Sequence, residues 1–245
     1  MKRKILNTAL AMVVIMTFYF MAGAAVVTNN LQGTEAKLVQ GGFIWLSVIA
    51  AILFYFIRYH SISGIGFRRV GKGTMKELYY CIPMIIVALS GMIAGVDFSQ
   101  GMSFLLASLF LTIGVGLSEE IYFRGIICNL WKTQGKGKAV MVSSILFGIC
   151  HLMNVLGGAG IIETVLQIFF AFFYGIIFAL IFIKTESLLP CVGLHFLHDF
   201  CAFVGSELTD VAELGLILAQ TVIMLIYIVL LVRHQTKSTI NNCAQ

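Results

Sequence analysis

Eight apolar runs, most of them near the length of a bilayer-crossing helix, divide the 245-residue chain. They cover roughly residues 5–28, 40–57, 78–96, 102–131, 139–156, 161–183, 187–205 and 211–232. At 1.5 Å per residue, about 20 apolar residues in a helix cross a hydrocarbon core of about 30 Å. Lipid offers no water to satisfy backbone groups, so only helices and closed barrels can span it. The alternating strands of about ten residues that build a barrel are absent. The chain is therefore expected to be an all-α, polytopic membrane helix bundle, with about eight transmembrane helices and a single transmembrane domain over 1–245. Only 11% of its residues are charged, against about a quarter in ordinary soluble domains.

Basic residues stay preferentially on the cytoplasmic side of a membrane. With the N-terminus inside, Lys2, Arg3, Lys4, Arg58, Arg68, Arg69, Lys72, Lys76, Arg124, Lys132, Lys136, Lys138, Lys184, Arg233 and Lys237 all fall inside or toward that side. Lys37 alone falls outside. Moving the span count by one destroys this asymmetry, so both termini are expected in the cytoplasm. The net charge of +5 then reflects topology and contact with the lipid bilayer, and no nucleic-acid partner is expected. The short, loop-poor chain suggests a multi-pass protein of the cell membrane, specifically a bacterial plasma membrane.

Several local patterns have plain readings. "MKRK" and "AGAA" in the first run resemble a signal peptide, but its apolar stretch exceeds the h-region length of about 7–15 residues, so an uncleaved helix is expected. Cys81, Cys128, Cys150, Cys191, Cys201 and Cys243 form no C-x-x-C pair and read as reduced thiols packed as small hydrophobes. "GFRRVGKG", from Gly66, lacks the Ser or Thr that ends a phosphate loop and joins two spans, so a basic loop is expected. "GMIAG", Gly91 to Gly95, is a small-xxx-small pair suited to close helix contact. Pro83 and Pro190 stand near the starts of spans, where a missing N–H is tolerated.

Ionisable groups inside spans cost at least a few kcal/mol each and call for a reason. Here they are Glu119, Glu120, Arg124, His151, His195, His198 and Asp199. Glu120 and Arg124 are spaced i,i+4 and can pair on one helix face. Glu119 is turned about 100° from Glu120 and can point elsewhere. Ser143, Phe147 and His151 follow at i+4 steps, with Asn154 a turn later; His195 and Asp199 are i,i+4, with His198 on the flank. Measured from the nearest lysine at 1.5 Å per residue, Glu119 and His151 lie roughly 20 Å deep and His195 roughly 16 Å. Three separate spans thus bring polar groups to one level.

Two chemistries suit that convergence. Glu and His can deprotonate a water held between them. Alternatively His151 and His195, with Glu119 and Asp199 as further ligands, can hold Zn²⁺ and acidify a bound water. Each alone has an ordinary reading, as a structural ion pair or a packed histidine, and a proton-coupled transporter would use similar groups. A transporter would also show broken helices in paired halves, which are absent from this sequence.

"EEIYFRG", "FGICH" and "HFLHD" resemble, in order, the E-E-x-x-x-R, F-x-x-x-H and H-x-x-x-[ND] motifs of the CAAX-processing and bacteriocin-processing (CPBP, also called Abi) family of intramembrane proteases. The motifs span 119–199, inside a catalytic core expected at about 102–205. The resemblance implies a type II CAAX prenyl endopeptidase-like hydrolase cutting a membrane-associated peptide or protein, by either a glutamate- or a metal-dependent route. It implies that Glu119 and His151 activate water, that His195 and Asp199 hold the oxyanion or a metal, and that Glu120 and Arg124 shape the site. The last motif position is Asp199 where prenyl-protein members generally have Asn, and an ionised Asp cannot donate to an oxyanion. The alternative on the same fold is a non-catalytic bacteriocin-immunity or scaffold protein. The basic face suggests a substrate presented from the cytosol.

Overall fold

The computed structural model describes residues 1–71, 81–156 and 159–243. Lys72, Gly73, Lys76 and the first residues of the third expected span, 78–80, lie outside them, as do the side chains of His234, Lys237 and Cys243. Eight main helices follow one another among the described residues: α1 (Lys2–Thr28), α2 (Gly33–Tyr59), α3 (Ile82–Leu89, continued by a 3₁₀ turn to Met92), α4 (Gly101–Glu120, continued through Ile121–Cys128 and Asn129–Lys132), α5 (Lys136–Cys150), α6 (Ile161–Thr185), α7 (Leu189–Val204) and α8 (Asp210–Cys243).

Each expected apolar run contains a helix among the described residues, and the chain is an all-α, multi-pass membrane protein. Six helical spans are long and apolar enough to cross a membrane, α5 being one when the turn at His151 and the following short helix are taken with it to Val155; Ile82–Met92 and Leu189–Val204 are shorter. The prolines of α3 and α7 sit in the first turn, where the N–H is free of helical bonding anyway. Extended pairing among the described residues is limited to one bridge, Val96 with Gly205. Cys81, Cys128, Cys150, Cys191 and Cys201 are free thiols, all but Cys150 buried, as expected.

The bundle has two distinct ends. At one, Lys4 donates to the Thr133 hydroxyl, Lys132 and Arg68 meet Glu186 at 3.0 and 3.3 Å, and Asn129 bonds the Gly64 carbonyl at 2.9 Å. The hydrogen bond from Lys132 holds the Glu186 carboxyl below its usual range. At the other end, Asp97 N–H donates to the Val204 carbonyl at 2.8 Å and Ser206 N–H to the Gly95 carbonyl at 3.0 Å. Lys37 lies there, 3.3 Å over the Phe203 ring. The loops expected inside thus share one end, and those expected outside share the other.

Apolar side chains gain little by leaving lipid for a helix contact, so small residues that let backbones approach carry the packing. A Cβ on Gly116 of α4 would lie 3.2 Å from Phe196 N and 3.3 Å from the Val192 carbonyl of α7. Gly148 of α5 sits equally close to α6, its added Cβ 2.9 Å from the Ile168 carbonyl. "GMIAG" divides its work: Gly91 packs on the Cys201–Ala202 backbone, whereas Gly95 turns the chain at φ +102°.

Gly116 lies one turn before Glu119 and Glu120, so this contact sets those carboxylates against α7. Gly116→Leu is expected to cost about 1–3 kcal/mol by overpacking, read as a lower thermal midpoint in detergent. Gly42→Leu, facing open space, leaves the midpoint unchanged.

Candidate active site

Glu120 and Arg124 are fully buried. Arg124 Nη1 donates to Glu120 Oε1 at 2.8 Å, and its Nη2 donates to the Gly175 carbonyl of α6 at 3.3 Å. The guanidinium also lies 4.5 Å over the Phe147 ring and 5.5 Å over Phe178. The helix around Arg124 departs from expectation. The segment from Ile121 to Cys128 is a π-helix, a rare, wider turn that often marks functional sites. Two of its carbonyls take side-chain donors: Ser143 Oγ bonds Phe123 O at 2.8 Å, and Asn129 Nδ2 bonds Gly125 O at 3.0 Å.

His195 of α7 completes the buried group. Its Nδ1 is 2.8 Å from the same Glu120 Oε1 that receives Arg124. A carboxylate oxygen can only accept, so Nδ1 carries the proton and the tautomer is set. Nε2 faces Glu119 Oε2 and Asp199 Oδ2, each at 3.6 Å. Both glutamates therefore meet His195, one at each ring nitrogen. The simple division, with Glu120 spent on Arg124 and Glu119 alone facing the histidines, is corrected in this respect.

His151 enters differently. α5 is interrupted after Cys150: His151 stands in a turn, and a short helix, Met153–Leu156, follows it within the same expected span. Its Nδ1 is 3.0 Å from the Phe147 carbonyl, so in the neutral ring Nδ1–H donates and Nε2 keeps its lone pair. Phe147 joins the parts: its ring meets His151 at 5.3 Å and His195 at 5.9 Å, edge to face in both cases.

Glu119, His151, His195, His198 and Asp199 all line one cavity of about 780 Å³. Glu120 and Arg124 stand behind it and hold His195. His198 is stacked beside Phe170 and Tyr174, at 5.5 and 5.1 Å, with its Nδ1 buried and unbonded. Asn154 bonds Gln167 at 2.6 Å and so ties the turn after α5 to α6. Tyr19 of α1 was not foreseen, since a tyrosine in an apolar run carries no spacing signal. It lines the cavity, and its buried hydroxyl lies beside Ser118 and Glu119 without completing a hydrogen bond.

The metal set expected from sequence is His151 and His195 with Glu119 and Asp199. Among the described residues no three His, Cys, Asp or Glu side chains are placed to hold a metal ion. His195 gives Nδ1 to Glu120 and His151 gives Nδ1 to a backbone carbonyl, which leaves both Nε2 atoms facing the cavity side of the site. The cavity extends away from the basic end, toward Thr28 and Phe203.

The fold and the site together define a polytopic membrane protein with an acid–histidine cluster buried among four helices. Residues 100–201 match the family model described as Type II CAAX prenyl endopeptidase Rce1-like. The matched segment runs from α4 into α7 and contains the three motifs, so the resemblance read from them holds over this region. No curated protein matches the chain.

Removing one partner of a buried ion pair strands the other charge, at a cost of about 3–5 kcal/mol. Arg124→Ala is expected to lower the thermal midpoint sharply. Arg124→Lys rescues little of it, because an ammonium cannot fork to Glu120 and the Gly175 carbonyl while lying over Phe147.

Proposed function

We propose that this chain is an intramembrane endopeptidase of a bacterial plasma membrane, hydrolysing a peptide bond in a membrane-associated peptide or protein. The supporting observation is the cavity that gathers Glu119, His151, His195 and Asp199 inside a segment matching a CAAX prenyl endopeptidase family. Its volume falls in the range of about 300–1,000 Å³ usual for ligand sites.

The chemistry follows from the groups. Glu119 accepts a proton from a water as the water oxygen attacks the scissile carbonyl carbon. His151, with its Nε2 lone pair, orients that water. The tetrahedral intermediate collapses with cleavage of the C–N bond, and the proton on Glu119 passes to the departing amine. Glu120 and Arg124 act through His195: they fix the ring that faces Glu119 and Asp199. They are positioning residues in this reading.

The oxyanion needs donors, and the cluster is rich in acceptors. Ionised Asp199 cannot donate. Tyr19 can, since its hydroxyl is buried beside Glu119 and otherwise unspent. Removing one such donor typically costs about 10²–10³ in kcat.

Mass spectrometry of candidate membrane peptides incubated with purified protein tests the reading. Glu119→Gln and His151→Ala are expected to lose cleavage by at least about 10²-fold with thermal midpoints unchanged, and a chelator to leave the wild type active. Wild-type rates in Glu119→Gln would refute the reading. Tyr19→Phe is expected to lower kcat with little change in KM, and less so in an Asp199→Asn background, where the amide supplies a donor.

A further inference from the structure

The cavity occupies only one half of the bundle. On α1 its lining runs from Ile15 to Thr28, on α4 from Leu111 to Glu119, and on α7 from His195 to Phe203. On every helix it starts at the level of the acid–histidine cluster and continues toward the end where Val96 pairs with Gly205. On the opposite side Phe123, Phe147, Phe178 and Phe182 are fully buried and fill the space between the cluster and the basic loops. The break in helix after Cys150 puts His151, Met153 and Asn154, from the turn and short helix Met153–Leu156 that follow, on the cavity wall.

The charges assign the two ends to sides. Lys2, Arg3, Lys4, Arg58, Arg68, Arg69, Lys132, Lys136, Lys138, Lys184 and Arg233 belong to the closed end. Lys37 belongs to the open end, held over the ring of the cavity-lining Phe203. The end rich in basic residues faces the cytoplasm.

We propose that the substrate reaches the site from the extracytoplasmic face: a peptide segment, exposed at the outer leaflet and carrying apolar side chains, descends between α1 and α7. The substrate class rests on the endopeptidase reading, whereas the side from which the cavity opens does not. A largely aliphatic lining favours apolar residues next to the scissile bond, and the volume admits a short extended segment and excludes a folded domain.

Sided thiol labelling of the full-length protein in cell membranes tests this. Thr28→Cys and, separately, Val27→Cys place a thiol on the cavity wall near the open end, where both residues are exposed. Thr133→Cys reports the basic end, and the wild type gives the background from native thiols. A membrane-impermeant maleimide is expected to modify Thr28→Cys and Val27→Cys in intact cells, and Thr133→Cys only in inverted vesicles. A bulky adduct at Val27→Cys, added from outside, is expected to remove most of the cleavage rate, whereas an adduct at Thr133→Cys leaves it intact. Labelling of the cavity thiols only in inverted vesicles overturns the proposal, as does undiminished cleavage after complete external modification. If the unmodified protein cleaves no peptide, the endopeptidase reading fails while the labelling pattern still decides the side.

Discussion

One oxygen atom, Oε1 of Glu120, accepts from both Arg124 and His195 at 2.8 Å, and the geometry of the site depends on it. A charge inside a bilayer is costly unless paired and hydrogen-bonded. Here the pairing involves several helices: α4 brings the carboxylate and the guanidinium, α6 the Gly175 carbonyl, α7 the imidazole and α5 the Phe147 ring. A rotation of any of them leaves a buried polar group unpaired. The arrangement that pairs Glu120 Oε1, while Oε2 and Arg124 Nε stay buried without a partner, is also the one that turns His195 Nε2 toward Glu119 and Asp199.

Much of this was legible in the sequence for simple reasons. Hydropathy marked the eight helices because bilayer thickness fixes their length. The i,i+4 spacing showed the Glu120–Arg124 and His195–Asp199 pairs, and helical rise placed Glu119, His151 and His195 near one level. The π-helical segment was not legible, because part of its bonding comes from Ser143, on another helix. The turn at His151 was not legible because the apolar run, like the helical span itself, continues past it to Val155. Tyr19 was invisible because its role arises from α1 lying across the cavity.

The direction in which the cavity runs was not legible either. Basic residues record which way a loop faced during insertion; they do not record where a substrate arrives. The cavity instead follows the packing, running from the acid–histidine cluster toward Thr28 and Phe203 and closing where buried aromatic side chains fill the bundle.

The central claim is that Glu120 and His195 act as one unit that holds the site. A double-mutant cycle measures this directly, with Glu120→Gln, His195→Asn and the double variant compared for unfolding free energy in bicelles. Residues coupled in one buried network show interaction energies of about 0.5–3 kcal/mol, and a value in that range is predicted here. Additive effects of the two substitutions would contradict the account.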